Sequence, residues 1–263
     1  MHNFDYHAPQ TLDSALALLR DKEDGKIIAG GMTLLPTLKQ RLAAPSDLID
    51  LAALSEMKGV RRDGNEIVIG AMTTHAEVST NPDVQSLIPA LAHLTGVIGD
   101  PAVRHRGTIG GSVANADPAA DYPAAVVGLN ATVVTNKRKI AADDFFVSLF
   151  ETALERDEII TSVRFPIPER AGYEKFRHPA SGYAVVGVMV AKFGDTIRVG
   201  VTGAAGSAFR ATDFEKALAK SFSPEVLLGI AVSPDDLLSD IHCSNEYRAH
   251  LVNVMARRAV AAA

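Results

Sequence analysis

Residues 26–35 read Lys-Ile-Ile-Ala-Gly-Gly-Met-Thr-Leu-Leu, and this stretch decides how the first part of the chain is interpreted. The apolar residues before Gly30-Gly31 predict a short buried strand, and the leucine spacing after Thr33 predicts a helix. Backbone N–H groups at such a strand-to-helix turn can bind an anion, and glycine lets the anion approach closely. The alternative is an ordinary tight turn with a capping threonine, and the sequence leaves both interpretations open.

A second glycine-rich stretch, residues 107–121, reads Gly-Thr-Ile-Gly-Gly-Ser-Val-Ala-Asn-Ala-Asp-Pro-Ala-Ala-Asp. It contains almost no bulky side chains, so it can present backbone donors to an anion and suits a flat ligand lying against backbone. Two turns of this kind fit a diphosphate, which has two anionic groups to hold. A glycine-rich packing loop between two lobes explains the second stretch equally well.

The polar side chains near the second stretch permit several interpretations. Asp117 and Asp121, together with His105, do not match the ligand spacing of zinc or calcium sites, so we predict no metal site. Asp121 is better interpreted as an acceptor for a ribose or ribityl hydroxyl. Asp117 precedes a proline and fits a turn equally well. Lys175 either reaches a negative group at a lobe junction or is an ordinary lysine at the start of a strand.

Composition excludes several classes of protein. The chain has 263 residues with 47% hydrophobic residues and a net charge of −5, enough for one large domain or two to three small ones. Its charges are well mixed, which argues against nucleic-acid binding. No apolar run approaches the roughly 18 residues of a membrane span and no secretory signal is recognisable, so we expect a cytoplasmic protein. The single cysteine, Cys243, allows neither an internal disulfide nor an iron–sulfur cluster, which needs about four thiolates.

Hydrophobic patterning divides the chain into three parts. The first part, residues 1–53, has strand and helix patterns in alternation, and the second, residues 54–168, has strand patterns separated by short helices. Residues 169–263 begin with a Gly172-Tyr173 bend, continue with two predicted strands at 183–193 and 196–202, and end in helices. The sequence contains no internal repeat.

The motifs as a set resemble the FAD-binding medium subunit of the molybdenum hydroxylases, a group that includes aerobic carbon monoxide dehydrogenase and bacterial xanthine dehydrogenase. The resemblance covers nearly the whole chain. The segments that carry it are Phe4–Pro9, Ala29–Pro36, Ile69–Thr74, Asp100–Asp121, Asp157-Glu158, Tyr173–Phe176 and Tyr247-Arg248.

The resemblance implies an α+β fold. A two-lobed FAD-binding domain of the vanillyl-alcohol oxidase-like type would span residues 1–168, followed by a C-terminal domain with a three-stranded antiparallel sheet and helices over residues 169–263. The FAD site that the resemblance implies comprises Ile28, Ala29, Gly30, Gly31, Met32, Thr33, Leu34, Leu35, Thr108, Ile109, Gly110, Gly111, Ser112, Asp121, Ile160 and Lys175.

This sequence departs from the family pattern at three points. Met32 stands where many members have histidine or asparagine, and Ser112 where many have aspartate or asparagine. The aromatic residue that covers the flavin in some relatives has no counterpart near Ile98, and Tyr183 is a candidate substitute.

The resemblance also implies a role as an electron relay. The chain would take electrons from a small subunit with two [2Fe–2S] clusters and pass them to a quinone, NAD or oxygen. Hydroxylation would occur on a large molybdopterin-binding subunit, within a dimer of heterotrimers. No residue here need act as acid, base or nucleophile. The alternatives are a self-contained flavoenzyme, which would need a proton donor aimed at the flavin, and a scaffold that has lost its flavin.

Overall fold

The computed structural model describes all residues from 1 to 263, and its first part is a small parallel sheet. Three strands, β1 (Asp5–His7), β2 (Gly25–Ile28) and β3 (Asp47–Asp50), pair in the order β1–β3–β2. The helices α1 (Leu12–Asp21) and α2 (Leu34–Lys39) connect them. Helix α1 begins after Thr11 because this side chain accepts the N–H of Ser14. The alternation of strands and helices predicted for this part of the chain is therefore present.

The second part is built on antiparallel strands. Their bounds are β4 (Val60–Asp63), β5 (Glu66–Gly70), β6 (Thr132–Thr135), β7 (Lys139–Ala141), β8 (Phe146–Ser148), β9 (Glu151–Thr152) and β10 (Ile160–Pro166). Strands β8 and β9 form a separate hairpin, and the other five pair in the order β4–β5–β10–β6–β7. Val163 and Phe165 on the central strand β10 are fully buried, which places the core against this sheet.

Seven short helices accompany these strands: α3 (His75–Thr80), α4 (Pro82–Leu87), α5 (Pro89–Gly96), α6 (Pro101–Arg104), α7 (Ile109–Asn115), α8 (Tyr122–Gly128) and α9 (Ala142–Phe145). Proline opens α4, α5 and α6, where its missing N–H costs no helical hydrogen bond. Helix α3 has a capping box in which Thr74 and Glu77 each bind the other's backbone N–H.

The third part is an antiparallel sheet backed by helices. Its elements are β11 (Arg170–Arg177), β12 (Ala184–Phe193), β13 (Thr196–Thr202), β14 (Phe209–Arg210), α10 (Thr212–Lys220) and α11 (Asn245–Ala262). The three long strands agree with the predicted sheet, and β14 adds a fourth strand of two residues. The prediction of a bend at Gly172-Tyr173 was wrong, because both residues lie inside β11 and pair with β12.

The three parts share buried contacts. Helix α11 packs on β11 and β12, and α8 of the second part packs on β12 and β13. Tyr173 and Met189 of the third sheet belong to the hydrophobic core of the second part. The cavity described below is therefore enclosed by segments of all three parts. None of the helices is both long and apolar enough to span a bilayer.

Candidate functional site

A cavity of about 1170 Å³ lies where the three parts of the chain meet. Its walls are formed by the two glycine turns, the wall segment Ile98–Asp100, the loop Arg177–Tyr183 and the segment Glu155–Ile160. Sites for drug-sized ligands usually have volumes of about 300–1,000 Å³. The cavity is therefore large enough for an extended ligand such as a dinucleotide.

The first glycine turn, residues 29–34, has unused backbone donors. None of the six N–H groups from Ala29 to Leu34 donates a hydrogen bond to an acceptor within the chain. Gly31 has a φ of +73°, a conformation that glycine adopts without strain. Successive N–H groups without partners form a favourable surface for an anion. The backbone of this turn therefore fits a phosphate group.

The two glycine turns touch each other. A Cβ atom on Gly30 would lie 2.0 Å from the carbonyl oxygen of Arg106 and 2.7 Å from the Cα of Gly107. A Cβ on Gly111 would lie 3.3 Å from the Cβ of Ala29. Only residues without side chains permit this approach, so the glycines join the first and second parts of the chain beside the cavity.

The second glycine turn, residues 107–112, uses its donors internally. The N–H of Ile109 donates to Thr73 O at 3.1 Å, and the N–H of Gly110 donates to Ala71 O at 2.8 Å. The N–H of Gly111 donates to Oγ1 of Thr108, the N-cap of α7, at 3.2 Å. Five of the six N–H groups of residues 107–112 are thus bonded within the chain, and that of Thr108 has no partner. The backbone of this turn lines the cavity.

Asp121 is the centre of a buried ion pair at the edge of the cavity. Its carboxylate accepts a hydrogen bond from the Tyr173 hydroxyl at 2.5 Å and lies 2.9 Å from Nζ of Lys175. Burial raises the pKa of Asp121, while the Lys175 ammonium and the Tyr173 hydroxyl oppose that rise. Lys175 also donates to Val97 O at 2.9 Å and to Gly182 O at 3.0 Å. One lysine therefore ties together three segments of the wall.

Two arginines that the sequence analysis did not single out fix the same wall. Arg104 donates to Ile98 O at 2.8 Å, and Arg177 donates to Gly99 O at 2.9 Å. Tyr183 lines the cavity on the opposite loop and is 45% exposed, so its ring is accessible to a ligand. Backbone carbonyls are poor targets for sequence-based prediction, since any residue supplies them.

Phe150, also missed, lines the cavity at the tip of the β8–β9 hairpin. Its φ of +57° is unusual for a bulky residue, so the sequence pattern gives no sign of this conformation. Ser148 and Glu151 pair across this hairpin and hold the tip in place.

Most residues of the predicted FAD site line the cavity. The exceptions are Leu35, Ile109 and Lys175. Leu35 packs on the small core of Ile28 and Leu38, and Ile109 is fully buried in the large core. Lys175 lies behind Asp121, with its side chain 5% exposed. Nowhere in the chain do three histidine, cysteine, aspartate or glutamate side chains gather as metal ligands.

Comparison with known proteins agrees with this geometry. The model of the family "FAD binding domain in molybdopterin dehydrogenase" matches residues 2–168. The carbon monoxide dehydrogenase medium chain of Hydrogenophaga pseudoflava is 35% identical, with 99% of this chain and 96% of that protein aligned. The nicotine 6-hydroxylase medium subunit of Paenarthrobacter nicotinovorans is 37% identical over 97% of this chain and 95% of its own length.

Solved structures show the same fold. The chain superposes on carbon monoxide dehydrogenase from Hydrogenophaga pseudoflava with a TM-score of 0.87 and 35% identity, covering 99% of this chain and 97% of that one. For quinoline 2-oxidoreductase from Pseudomonas putida 86, the TM-score is 0.88 at 30% identity, with coverage of 98% and 96%. The α+β architecture is confirmed.

Fold, cavity and relatives together define a flavoprotein subunit of a molybdopterin-dependent oxidoreductase, with FAD as its cofactor. The chain belongs to the family of FAD-binding domains in molybdopterin dehydrogenases. The structure fits this cofactor, since the unpaired N–H groups of residues 29–34 and the contact that Gly30 makes with the second turn form a cradle beside the cavity.

Proposed function

We propose that this chain is the electron-transferring medium subunit of a molybdenum hydroxylase complex. It takes electrons from iron–sulfur clusters on a partner chain and passes them to an external acceptor. The observation that carries the proposal is the end-to-end similarity to medium chains of such dehydrogenases. The single cysteine supports it, because the clusters then have to reside on another chain.

In this role the isoalloxazine ring of bound FAD supplies the redox chemistry, and the protein supplies binding and orientation. The unused N–H groups of residues 29–34 bind the diphosphate. The second turn, residues 107–112, gives the cofactor a flat backbone surface. Ile160 lines the adenine side of the cavity, and the Tyr183 ring covers the flavin.

Asp121 and Lys175 have different parts in this proposal. An ionised carboxylate offers about four lone-pair positions, and the bonds from Tyr173 and Lys175 leave room for a ribityl hydroxyl. Asp121 therefore binds the cofactor directly. Lys175 acts through Asp121 and through the carbonyls of Val97 and Gly182, and it keeps the walls at a fixed separation.

The proposed partners are a large molybdopterin-binding subunit and a small subunit with two [2Fe–2S] clusters, assembled as a dimer of heterotrimers in the cytoplasm. The related proteins are named as medium chains or medium subunits, which supports partners of larger and smaller size. We further propose a domain boundary between residues 168 and 169, supported by the end of the family match at residue 168.

The test is purification of the chain from its native source followed by rapid mixing. Two further chains, molybdenum, iron and FAD should co-purify. Reduction of the clusters with dithionite should be followed by bleaching of the flavin absorbance, and an added acceptor should restore it. A chain that purifies alone and reduces its own organic substrate would contradict the proposal and favour a self-contained flavoenzyme.

A further inference from the structure

His75 is a buried imidazole directly beneath the junction of the two glycine turns. It is the first residue of α3, and its backbone N–H donates to Gly107 O at 3.0 Å. A Cβ on Gly107 would lie 2.6 Å from Nε2 of His75, so the ring faces the second turn at the point where Gly30 contacts it. The residue is only 4% exposed and also lines the cavity.

The ring is neutral at physiological pH. Burial, with a smaller contribution from the neighbouring Arg104, lowers the pKa of His75 to about 4. A neutral imidazole has one N–H donor and one nitrogen acceptor. Which nitrogen carries the proton depends on the partner of the other nitrogen.

Two polar atoms beside this ring lack partners. Neither Nδ1 of His75 nor the hydroxyl of Tyr122 has a hydrogen bond, although both are buried. The two rings are neighbours, with centroids 5.4 Å apart. Burial raises the pKa of Tyr122 well above its ordinary value, so the hydroxyl keeps its proton and is a donor. The structure has no direct bond between the two atoms, and one water between the hydroxyl and Nδ1 would satisfy both.

We propose that Tyr122 acts through one bridging water, which donates to Nδ1 of His75 and so places the ring proton on Nε2, and that Nε2 donates a hydrogen bond to a diphosphate oxygen of FAD. His75 is then a side-chain donor at a site where the second turn has bonded all of its own N–H groups within the chain except that of Thr108. Tyr122 is a positioning residue that acts through His75. This inference rests on the FAD site proposed above.

The test measures binding of three probes to the purified holoprotein after removal of its flavin. FAD and ADP contain the diphosphate, whereas riboflavin does not. His75→Leu should weaken the binding of FAD and of ADP by about 10- to 100-fold, the range for a lost hydrogen bond to a charged group. The affinity for riboflavin should not change. His75→Gln, which keeps a donor, should bind within about threefold of the wild type. The exposed His93, replaced by leucine, is the matched control.

Tyr122→Phe distinguishes the tautomer mechanism from simple packing. It removes only the hydroxyl, and we expect FAD and ADP to bind about 3- to 10-fold more weakly. Equal loss for riboflavin in His75→Leu, or failure of glutamine to rescue binding, would show that the ring only fills space and would overturn the proposal. If His75→Leu does not fold, the affinities of His75→Gln and Tyr122→Phe for FAD and ADP test the proposal. Normal FAD binding without reduction by the clusters would refute the electron-relay role alone.

Discussion

The two glycine turns look alike in sequence and differ in the structure. The turn at residues 29–34 leaves six successive N–H groups without partners within the chain. The turn at residues 107–112 uses the N–H groups of Ile109, Gly110 and Gly111 to fasten itself to Thr73, Ala71 and the Thr108 side chain. Glycine thus permits close packing at both turns, and the turns differ because only the first leaves a run of N–H groups without partners.

Gly30→Val is expected to have the largest effect on this difference. Its side chain would meet the Arg106 carbonyl and Gly107 Cα, so the first turn has to move away from the second. Because this opens the cradle, FAD should bind at least about 100-fold more weakly, equivalent to about 3 kcal/mol. Flavin fluorescence titration measures the change. Gly206→Ala is the control, since a Cβ there meets nothing within 4 Å. Tight FAD binding by the valine variant would show that the contact is not needed.

Gly110→Ala should affect stability more than binding. The new Cβ would lie 2.5 Å from the Cβ of Ala71 and 2.7 Å from its carbonyl oxygen, which is also the acceptor of the Gly110 N–H. We expect the free energy of unfolding to fall by about 1–3 kcal/mol, measured by urea denaturation of the flavin-free protein. If Gly30 and Gly110 variants lose binding and stability in the same ratio, the two turns do not have different roles.

Acidification should lower the free energy of unfolding through His75, which packs against the second turn. The pKa of His75 is about 4 in the folded chain, mainly through burial, and 6.5 ordinarily, so the unfolded chain takes up its proton first as pH falls. Stability from this residue is complete above pH 6.5 and is lost as the pH falls to 4, by roughly 1–3 kcal/mol. Urea unfolding at several pH values should show this loss in the wild type. In His75→Gln the free energy of unfolding should change less over the same pH range. A dependence on pH as steep as that of the wild type would show that His75 is not its cause.

Thr108→Val should have the smallest effect. It removes the N-cap side chain of α7 and frees the N–H of Gly111. Loss of such a cap costs about 1 kcal/mol, which thermal unfolding can detect. FAD affinity should stay within about threefold of the wild type, since the freed N–H of Gly111 removes no contact to the cofactor and adds a donor to the unpaired N–H of Thr108. A large loss of FAD would mean that the Thr108 side chain itself binds the cofactor.

The sequence predicted the elements whose signals are local. Gly30 stands in a strand-to-helix pattern and Gly110 in a glycine-rich stretch, and most of the predicted FAD residues line one cavity. Hydrophobic patterning did not predict strand β11, because residues 170–177 mix charged residues with glycine and only pairing with β12 makes them a strand. His75 was missed because its burial arises from Gly107 and Tyr122, which are far away in sequence. The inward position of Lys175 likewise depends on pairing that no local pattern encodes.

The bonds of Lys175 have a consequence for biosynthesis. Asp121 is buried, and its charge partner is made 54 residues later on strand β11. Chains emerge from the ribosome N-terminal end first, at about 5–20 residues per second. Residues 1–168 can therefore leave the ribosome with both glycine turns complete, while the Asp121 carboxylate and the Val97 carbonyl still lack the ammonium that joins them. The part of the cavity wall that Lys175 ties together is thus complete only after strand β11 has been made.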